Sequence, residues 1–359
     1  MRTLSYFLFF TFLSLSLTGC GNLLYLSKLG WHQSLITFHS VPIEEVLEKE
    51  GVGHEAKEKI RFIQEVKRYG EEKLGLRRTE SYSKYFEVKG PVLHVITASE
   101  KDCLRLHQWD FPITGKVTYK SFFTKEGVLK ENRFLETKGY DTFVQQAGAY
   151  STLGWLKDPI FSSMLQWDED ALANLILHEM THATVYFKGQ TDFNEQLATF
   201  VGNHGAIDFL TEKYGKESKE VVEAIHNQED DLLFSRWIDQ ACQQLSNFYA
   251  REISKDEKLR GREGLFQHFK SDFKEKMVSF KTEGYKSFEK LDINNAVFLA
   301  YRRYIHRLEN FQALYEYLGN DLKKTINFFK EIQTSKEEGF SYLERWMKER
   351  GISVPASLQ

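Results

Sequence analysis

The amino-acid sequence predicts an α+β fold that is mostly helical and contains one small β-sheet. Apolar residues recur at helical spacing before residue 80 and after residue 160. Residues 81–160 instead hold runs of β-branched and aromatic residues bounded by Gly and Pro, which are typical of strands. The chain has 359 residues, 42% of them hydrophobic, which is enough for one large domain.

Residues 1–19 are predicted to be a lipoprotein signal peptide. One Arg precedes an apolar run, residues 4–17, that is too short to span a bilayer comfortably. The run ends in Leu-Thr-Gly-Cys, which resembles a bacterial lipobox, and cleavage before Cys20 would leave that cysteine to carry lipid. An ordinary secreted protein is the alternative. The sequence thus predicts a location in the bacterial cell envelope, at the outer membrane or the periplasmic face, with membrane attachment through Cys20.

Residues 20–80 are predicted to form a helical N-terminal part. Apolar stripes indicate helices over residues 22–40 and 54–74, and a proline starts a shorter helix over residues 43–50. Little linker separates the lipid from the fold, so we expect the domain to sit close to the membrane.

Residues 81–160 are predicted to form the sheet part, beside the helix that carries the active site. Strand patterns cover residues 91–97, 115–123 and 141–149. A helix over residues 125–138 is predicted between the last two strands.

Residues 161–215 are predicted to supply two metal-binding helices. Residues 169–187 contain neither Gly nor Pro and form the first helix. Within it, His178, Glu179 and His182 spell H-E-x-x-H, which places two imidazoles one turn apart on the same face with a carboxylate beside them. This pattern is typical of a zinc hydrolase.

A hydrolytic zinc site needs three protein ligands and an open position for water. The best third ligand is Glu195, which follows a short turn and opens a second helix that can run back along the first. His204 and Asp208, roughly two to four turns farther on, and Asp192, in the turn, are weaker alternatives. The predicted cofactor is one Zn²⁺ per chain, held by the two histidines and Glu195.

This stretch resembles the gluzincin branch of zinc metallopeptidases and, more narrowly, the bacterial putative aminopeptidase family, whose motif reads H-E-L-A-H-x-x-x-Y-x-x-G-D-x-x-F-N-E-S-F-A-T. The matching positions are His178, Glu179, His182, Tyr186, Gly189, Phe193, Asn194, Glu195, Ala198 and Thr199. The resemblance implies a zincin-like metallopeptidase fold and aminopeptidase activity. This chain has Gly202 and Asp110 where the family has an acidic residue and a cysteine. Any disulfide that relatives form at the latter position is absent here.

Ala149, Tyr150 and Ser151 are the predicted substrate-binding residues. They lie just before the metal helix, in a stretch that also resembles the family. A strand edge there can offer free N–H and C=O groups to an extended peptide, which adds to the sheet as one more strand. A simple connection from strand to turn is the alternative.

Residues 216–359 are predicted to form a helical C-terminal part. Helical patterns cover residues 219–251, 266–280 and 296–318, and the charged stretch 254–263 indicates a solvated loop or helix end.

In gluzincins a Tyr or His from a downstream helix commonly stabilises the oxyanion, and the resemblance assigns this role to Tyr301 or Tyr304. For each of them, a packed tyrosine with a bonded hydroxyl is the alternative.

The net charge is −3, which argues against a nucleic-acid partner. Cys103 and Cys242 lie in no Cys-x-x-Cys pair, so they either form a disulfide or remain free thiols. The predicted zinc is therefore not held by sulfur.

These residues predict a zinc-dependent metallopeptidase, with a peptide as its substrate partner. Glu179 is expected to take a proton from the activated water and pass it to the leaving amine. Asp208 and Thr199 are candidates to orient the histidines. Asp158 is the acidic residue nearest the substrate stretch that could hold a free α-ammonium group.

Two alternatives stay open at this point. One is a zinc endopeptidase, because the preference for chain ends rests on the resemblance alone. The other is a lipid-anchored envelope binding or assembly factor with a zincin fold and no turnover. The presence of Glu179 argues against the second alternative, because a metal scaffold needs the histidines but not the base.

Overall fold

The computed structural model describes residues 20–111, 115–150, 152 and 156–352. The predicted signal peptide, the side chain of Cys20 and the whole of Ser151 lie outside this description. In the described ranges, no helix combines the length and the apolar character that crossing a membrane requires.

The N-terminal part consists of α1 (Cys20–His39), β1 (Val41–Pro42), α2 (Ile43–Glu48) and α3 (His54–Glu72). On α3, Ile60, Ile63 and Val66 are buried, as expected for apolar residues three or four positions apart. On α1, the Tyr25 hydroxyl donates to the carbonyl of Ser121 (2.8 Å) and so fixes this helix to the middle of the chain.

The middle of the chain contains β2 (Lys84–Phe86), β3 (Leu93–Ser99), β4 (Trp109–Phe111), β5 (Gly115–Val117), β6 (Lys120–Phe122), α4 (Lys125–Thr137), β7 (Asp141–Ala147) and β8 (Ile160–Phe161). β3 is the centre of a three-stranded sheet and pairs antiparallel with β6 and β7. β2 pairs with β1 and β8 in a second sheet, and β4 pairs with β5.

The strand predicted over residues 115–123 is divided into β5 and β6. Arg303, which is buried, donates through Nη2 to the carbonyl of Thr118 (3.2 Å), and its guanidinium lies 5.0 Å from the centre of the Tyr119 ring. A carbonyl bonded by a side chain is not free for a neighbouring strand. β7 also ends earlier than predicted, at Ala147.

The rest of the chain is mainly helical, with α5 (Glu169–Thr184), α6 (Thr191–Tyr214), α7 (Lys219–Tyr249), α8 (Lys255–Lys276), α9 (Asn295–Ile305), α10 (Leu308–Tyr317), α11 (Leu322–Ile332) and α12 (Gly339–Glu349). α5 and α6 share the largest interface between elements, and α3 packs against α5. Gly70 permits the second contact, because a Cβ there would lie 3.0 Å from side-chain atoms of Leu177 and Met180. The H-E-x-x-H motif on α5 therefore lies inside the helical core.

The helix predicted over residues 296–318 is broken into α9 and α10. The carbonyl of Ile305 accepts from the Ser235 hydroxyl (2.6 Å), and Nδ1 of His306 lies 2.8 Å from the Asp239 carboxylate. Arg307 then adopts a left-handed conformation with φ 56°. These contacts with α7 replace the helical hydrogen bonds at the break.

Of the two alternatives for residues 254–263, a solvated loop or a helix end, the structure has the second, because α8 begins here. Ser254 and Glu257 form a reciprocal capping box, which satisfies two of the free N–H groups at the helix start. Both remaining cysteines are free, with Cys103 partly exposed and Cys242 buried.

Candidate metal centre

α5 presents both histidines of the H-E-x-x-H motif on one face. Its other flank is fully buried through Leu172, Ile176 and Leu177, which fixes the rotation of the helix in the core. The Nε2 atoms of His178 and His182 lie 3.1 Å apart. Two imidazole nitrogens this close share a single binding position.

The turn between α5 and α6 returns Glu195 to the histidines. The Asn194 side chain closes the turn, because its Nδ2 donates to the carbonyl of Phe187 and its Oδ1 accepts from the N–H of Phe187, both at 2.8 Å. Gly189 supplies the positive φ of 76° that the turn requires. Glu195 Oε2 consequently lies 3.4 Å from Nε2 of His178 and 3.4 Å from Nε2 of His182.

The three donor atoms fit a zinc ion. Zinc bonds of about 2.0–2.1 Å in a tetrahedron place neighbouring ligand atoms roughly 3.3 Å apart. The observed separations of 3.1, 3.4 and 3.4 Å match that spacing. Two imidazoles and one carboxylate are also the donor set of hydrolytic zinc sites, which keep a fourth position for water.

The charges of these groups are coupled. Burial alone would raise the pKa of Glu195, but His182 and His178 outweigh it and hold the pKa well below its usual range. Burial alone would lower the pKa of His182, but Glu195 outweighs it and raises the pKa. A bound metal would take the place of the proton that these groups share, because imidazole ligands bind in the neutral form.

The weaker ligand candidates lie elsewhere. The cluster of ligand atoms within 4.8 Å holds His178, His182 and Glu195, and no other described residue joins it. His204 contacts Gln312, and burial lowers the pKa of His204 to about 4. Asp208 is exposed on α6, and Asp192 lies 3.9 Å from Nε of Arg303.

The predicted orienting residues do not serve His182. Its Nδ1 is buried and has no hydrogen-bond partner among the described residues, so neither Asp208 nor Thr199 bonds to it.

Glu179 and one of the two candidate tyrosines lie at the cluster. Glu179 and Tyr304 line the same cavity as the three ligands, and the Tyr304 ring lies 6.4 Å from the His178 ring. Tyr301 packs instead between aromatic rings, with Phe288 at 5.1 Å and Phe234 at 5.4 Å. Of the two tyrosines, only Tyr304 can reach a bound substrate.

Two cavities meet at the cluster, and His178, Glu179 and Tyr304 line both. The first, which we call the sheet-side cavity, measures about 560 Å³ and is mostly apolar, with walls from α1, β3, β6 and the end of β7. The second, which we call the helix-side cavity, measures about 530 Å³ and lies between α5, α6, α7 and the loop around Thr282. The cluster of His178, His182 and Glu195 thus lies at the junction of two open spaces.

Of the residues predicted to bind substrate, Ala149 and Tyr150 line a cavity at the cluster and Asp158 does not. Ala149 and Tyr150 line the sheet-side cavity, although they follow the end of β7 and are not part of a paired strand. Tyr150 donates its hydroxyl to Oε1 of Gln33 on α1. Asp158 is buried and bonds to the Thr152 hydroxyl (2.8 Å), and it lines neither cavity.

Several cavity residues were missed from the sequence. Gln33 lines the sheet-side cavity, and Asp170 and Asp231 line the helix-side cavity. Gln33 sits in an apolar helical pattern that resembles any core-facing helix. The two aspartates are 61 positions apart and carry no motif. No local pattern could have found them.

Gly202 marks where α5 and α6 cross. A Cβ at this position would lie 3.0 Å from the carbonyl oxygen of Asn174 and 3.3 Å from Cβ of His178. The acidic residue expected from the family motif would therefore push apart the two helices that hold the metal ligands.

Comparison with known proteins gives one family. The family model described as putative aminopeptidase matches residues 24–341. No curated protein and no solved structure shows a significant match. The match spans most of the chain, including the metal cluster and both cavities, and the chain therefore belongs to the putative aminopeptidase family.

Proposed function

We propose that this protein is a zinc-dependent metallopeptidase with a zincin-like fold, and that it acts as an aminopeptidase. The observation that carries the proposal is the convergence of His178, His182 and Glu195 at tetrahedral spacing beside Glu179. Membership of the putative aminopeptidase family supports peptidase activity.

The residues divide the chemistry among them. Zinc, when held by the two histidines and Glu195, supplies an acidified water and a positive charge that polarises the substrate carbonyl. Glu179 takes the proton from the attacking water and gives it to the leaving amine. The Tyr304 hydroxyl donates to the carbonyl oxygen as negative charge develops there.

The sheet-side cavity is the proposed channel for the peptide. Its walls include Ala149 and Tyr150, and Gln33 presents an Nε2 atom that is buried and has no partner among the described residues. An amide of this kind can donate to a substrate carbonyl, which would offset the cost of burying it unpaired.

We further propose that the protein is anchored in the bacterial cell envelope through lipid on Cys20. α1 begins at this residue and also lines the sheet-side cavity. Lipidation would therefore hold the cleft close to the membrane surface.

Zinc content and hydrolysis by the full-length chain in detergent test the proposal. We expect about one zinc per chain, cleavage of peptides with a free N-terminus, and cleavage by zinc-loaded Glu179→Gln that is slower by about 10²-fold or more. Cleavage of blocked peptides alone would make the protein an endopeptidase. Zinc without any turnover would favour the binding or assembly factor, and absence of zinc would refute the metal centre.

A further inference from the structure

The helix-side cavity carries negative charge that the proposed reaction does not use. Asp170 and Asp231 line it together with the shared residue Glu179. Among the described residues, no Lys or Arg lines this cavity. The sheet-side cavity differs, because its walls beyond the metal ligands and Glu179 are mostly apolar.

The two aspartates have neutral partners only. Asp231 accepts from the Tyr285 hydroxyl (2.6 Å) and from Nδ2 of Asn203 (2.9 Å), and Asp170 accepts from Nδ2 of Asn227 (2.7 Å). In the described part of the chain, neither forms an ion pair with a basic side chain. Burial, the main cause, raises the pKa of Asp231. A partly desolvated carboxylate without a counter-charge is unfavourable, so the cavity is suited to a cation.

A metal ion is not the cation that this cavity fits. A site for Mg²⁺ or Ca²⁺ needs several oxygen ligands at once. Among the described residues, neither Asp170 nor Asp231 belongs to a group of three His, Cys, Asp or Glu ligand atoms within 4.8 Å of one another, so a site with several carboxylates is not formed here. An organic ammonium or guanidinium group needs fewer and less regular contacts.

A peptide could supply an organic cation from its α-ammonium group or from a basic side chain. The distance of the two carboxylates from the histidines decides between them. Asp170 lies eight residues before His178 on α5, which is roughly 12 Å along the helix axis. Asp231 bonds to Asn203, which in turn accepts from Asn174 on α5, about one turn from His178. The α-ammonium group of a substrate stays within about 2.5 Å of its carbonyl carbon. The α-ammonium group therefore stays close to the scissile carbonyl. A Lys or Arg side chain extends several bonds farther and can approach Asp231, whereas Asp170 lies deeper along α5 and contributes its charge to the far end of the cavity.

We infer that Asp231 and Asp170 make the helix-side cavity a specificity pocket for a Lys or Arg side chain on the N-terminal residue of the peptide. This inference rests on the proposed peptidase function. The remainder of the peptide lies in the sheet-side cavity, where the strands and α1 provide the longer wall. The two cavities thus bind opposite sides of the scissile bond.

Peptides X-Leu-Phe, with X as Lys, Arg, norleucine or Leu, test this inference on the full-length, zinc-loaded chain. The wild type should give a higher kcat/KM for Lys and Arg than for norleucine. Asp231→Asn should lower that preference about 10- to 100-fold, as expected for a lost hydrogen bond to a charged group. Its kcat/KM for norleucine should stay near the wild-type value. Asp170→Asn should shift the preference in the same direction.

Glu229→Gln is the matched control. Glu229 lies just before Asp231 on α7, is exposed and lines neither cavity. It removes the same charge and should leave the preference unchanged. An equal loss on all four peptides in Asp231→Asn, or a wild type that prefers norleucine, would overturn the inference.

Binding separates this inference from the proposed function. Calorimetry with Lys-Leu-Phe and Glu179→Gln requires no turnover, and adding Asp231→Asn should weaken binding about tenfold or more. Unchanged binding would refute the pocket even if peptides are hydrolysed. Weakened binding with no hydrolysis by the wild type would keep the pocket and refute the peptidase.

Discussion

Two groups of three residues in the described part of the chain bring metal-ligand atoms within 4.8 Å of one another. His178, His182 and Glu195 form the helical cluster, on α5 and α6. Glu100, Asp102 and Cys103 form the loop cluster, which directly follows β3. They have the same number of ligands but differ in their surroundings.

In the loop cluster, basic side chains already neutralise the two carboxylates. Glu100 accepts from Nη2 of Arg105 (2.7 Å), and this bond holds the pKa of the carboxyl below its usual value. Asp102 lies 3.5 Å from Nζ of Lys255, and burial together with Glu100 raises the pKa of the Cys103 thiol. A protonated thiol is a poor metal ligand.

The helical cluster has no such neutralisation. Within the described ranges, its ion-pair contacts are only those between Glu195 and the two histidines, and it opens onto both cavities. This difference in surroundings is why we propose the helical cluster, and not the loop cluster, as the metal site. A site needs a deficit of positive charge and access for water and substrate.

The largest expected effect is loss of zinc from the helical cluster. Glu195→Gln removes the one anionic ligand and should weaken zinc binding more than about 100-fold, since even outer-shell partners of a metal contribute 10- to 100-fold. Peptide hydrolysis should be lost with the metal. Zinc titration of the purified variant measures this, and wild-type affinity in Glu195→Gln would remove Glu195 from the ligand set.

Loss of the proposed base, Glu179, should affect the reaction rate without affecting zinc binding. Glu179→Gln should retain stoichiometric zinc while kcat falls about 10²- to 10⁴-fold, the usual contribution of general acid–base catalysis. Paired zinc and rate measurements on one preparation check this result. Substantial turnover by the zinc-loaded variant would mean that another group takes the proton.

The two tyrosines should differ. Tyr304→Phe removes a donor from the junction of the cavities and should lower kcat about 10²- to 10³-fold with little change in zinc content. Tyr301→Phe keeps a ring that packs against Phe234 and Phe288 and should remain close to wild type. The opposite ranking of the two rates would reverse the assignment.

His204 differs from His178 and His182 because it contacts the neutral side chain of Gln312 and not a carboxylate. Its folded-state pKa is lowered to about 4, so protons bind preferentially to the unfolded chain as pH falls from about 6.5. Its contribution to stability is complete above the unfolded pKa and is lost below it. We expect wild type to lose about 2 kcal/mol more than His204→Asn between pH 7 and pH 5. Urea unfolding at both pH values gives the difference, and equal pH dependence would refute it.

The smallest effect is expected in the loop cluster. Cys103→Ser and Asp102→Asn should leave zinc content unchanged and shift the unfolding free energy by no more than about 0.5 kcal/mol, as for most partly exposed substitutions. Loss of zinc in either variant would contradict the comparison.

The convergence of His178, His182 and Glu195 was predictable from sequence because its information is local. His178 and His182 lie one helical turn apart, and Glu195 follows across a single turn closed by Asn194. Apolar spacing also gave the starts of α2, α3, α4, α5 and α7, but it joined α9 to α10 and gave no separate helix for α11 or α12. Most differences between the predicted and the observed elements arose where a distant side chain bonds to the backbone. Arg303 does so between β5 and β6, and Ser235 does so at the end of α9.

The second cavity was not predictable for the same reason. Asp170 and Asp231 line the cavity beside the cluster through contacts between distant elements: Asn227 on α7 bonds to Asp170 on α5, and Asn203 and Tyr285 bond to Asp231. The choice of Tyr304 over Tyr301 also required the packing of α9. Spacing along one helix does not say which of two faces meets a neighbour.

Anomalous diffraction at the zinc edge from crystals of the zinc-loaded chain tests the central claim most directly. The account predicts one peak per chain, about 2.0–2.1 Å from Nε2 of His178, Nε2 of His182 and a Glu195 carboxylate oxygen. A peak at Glu100, Asp102 and Cys103, or no peak in either cluster, would contradict it.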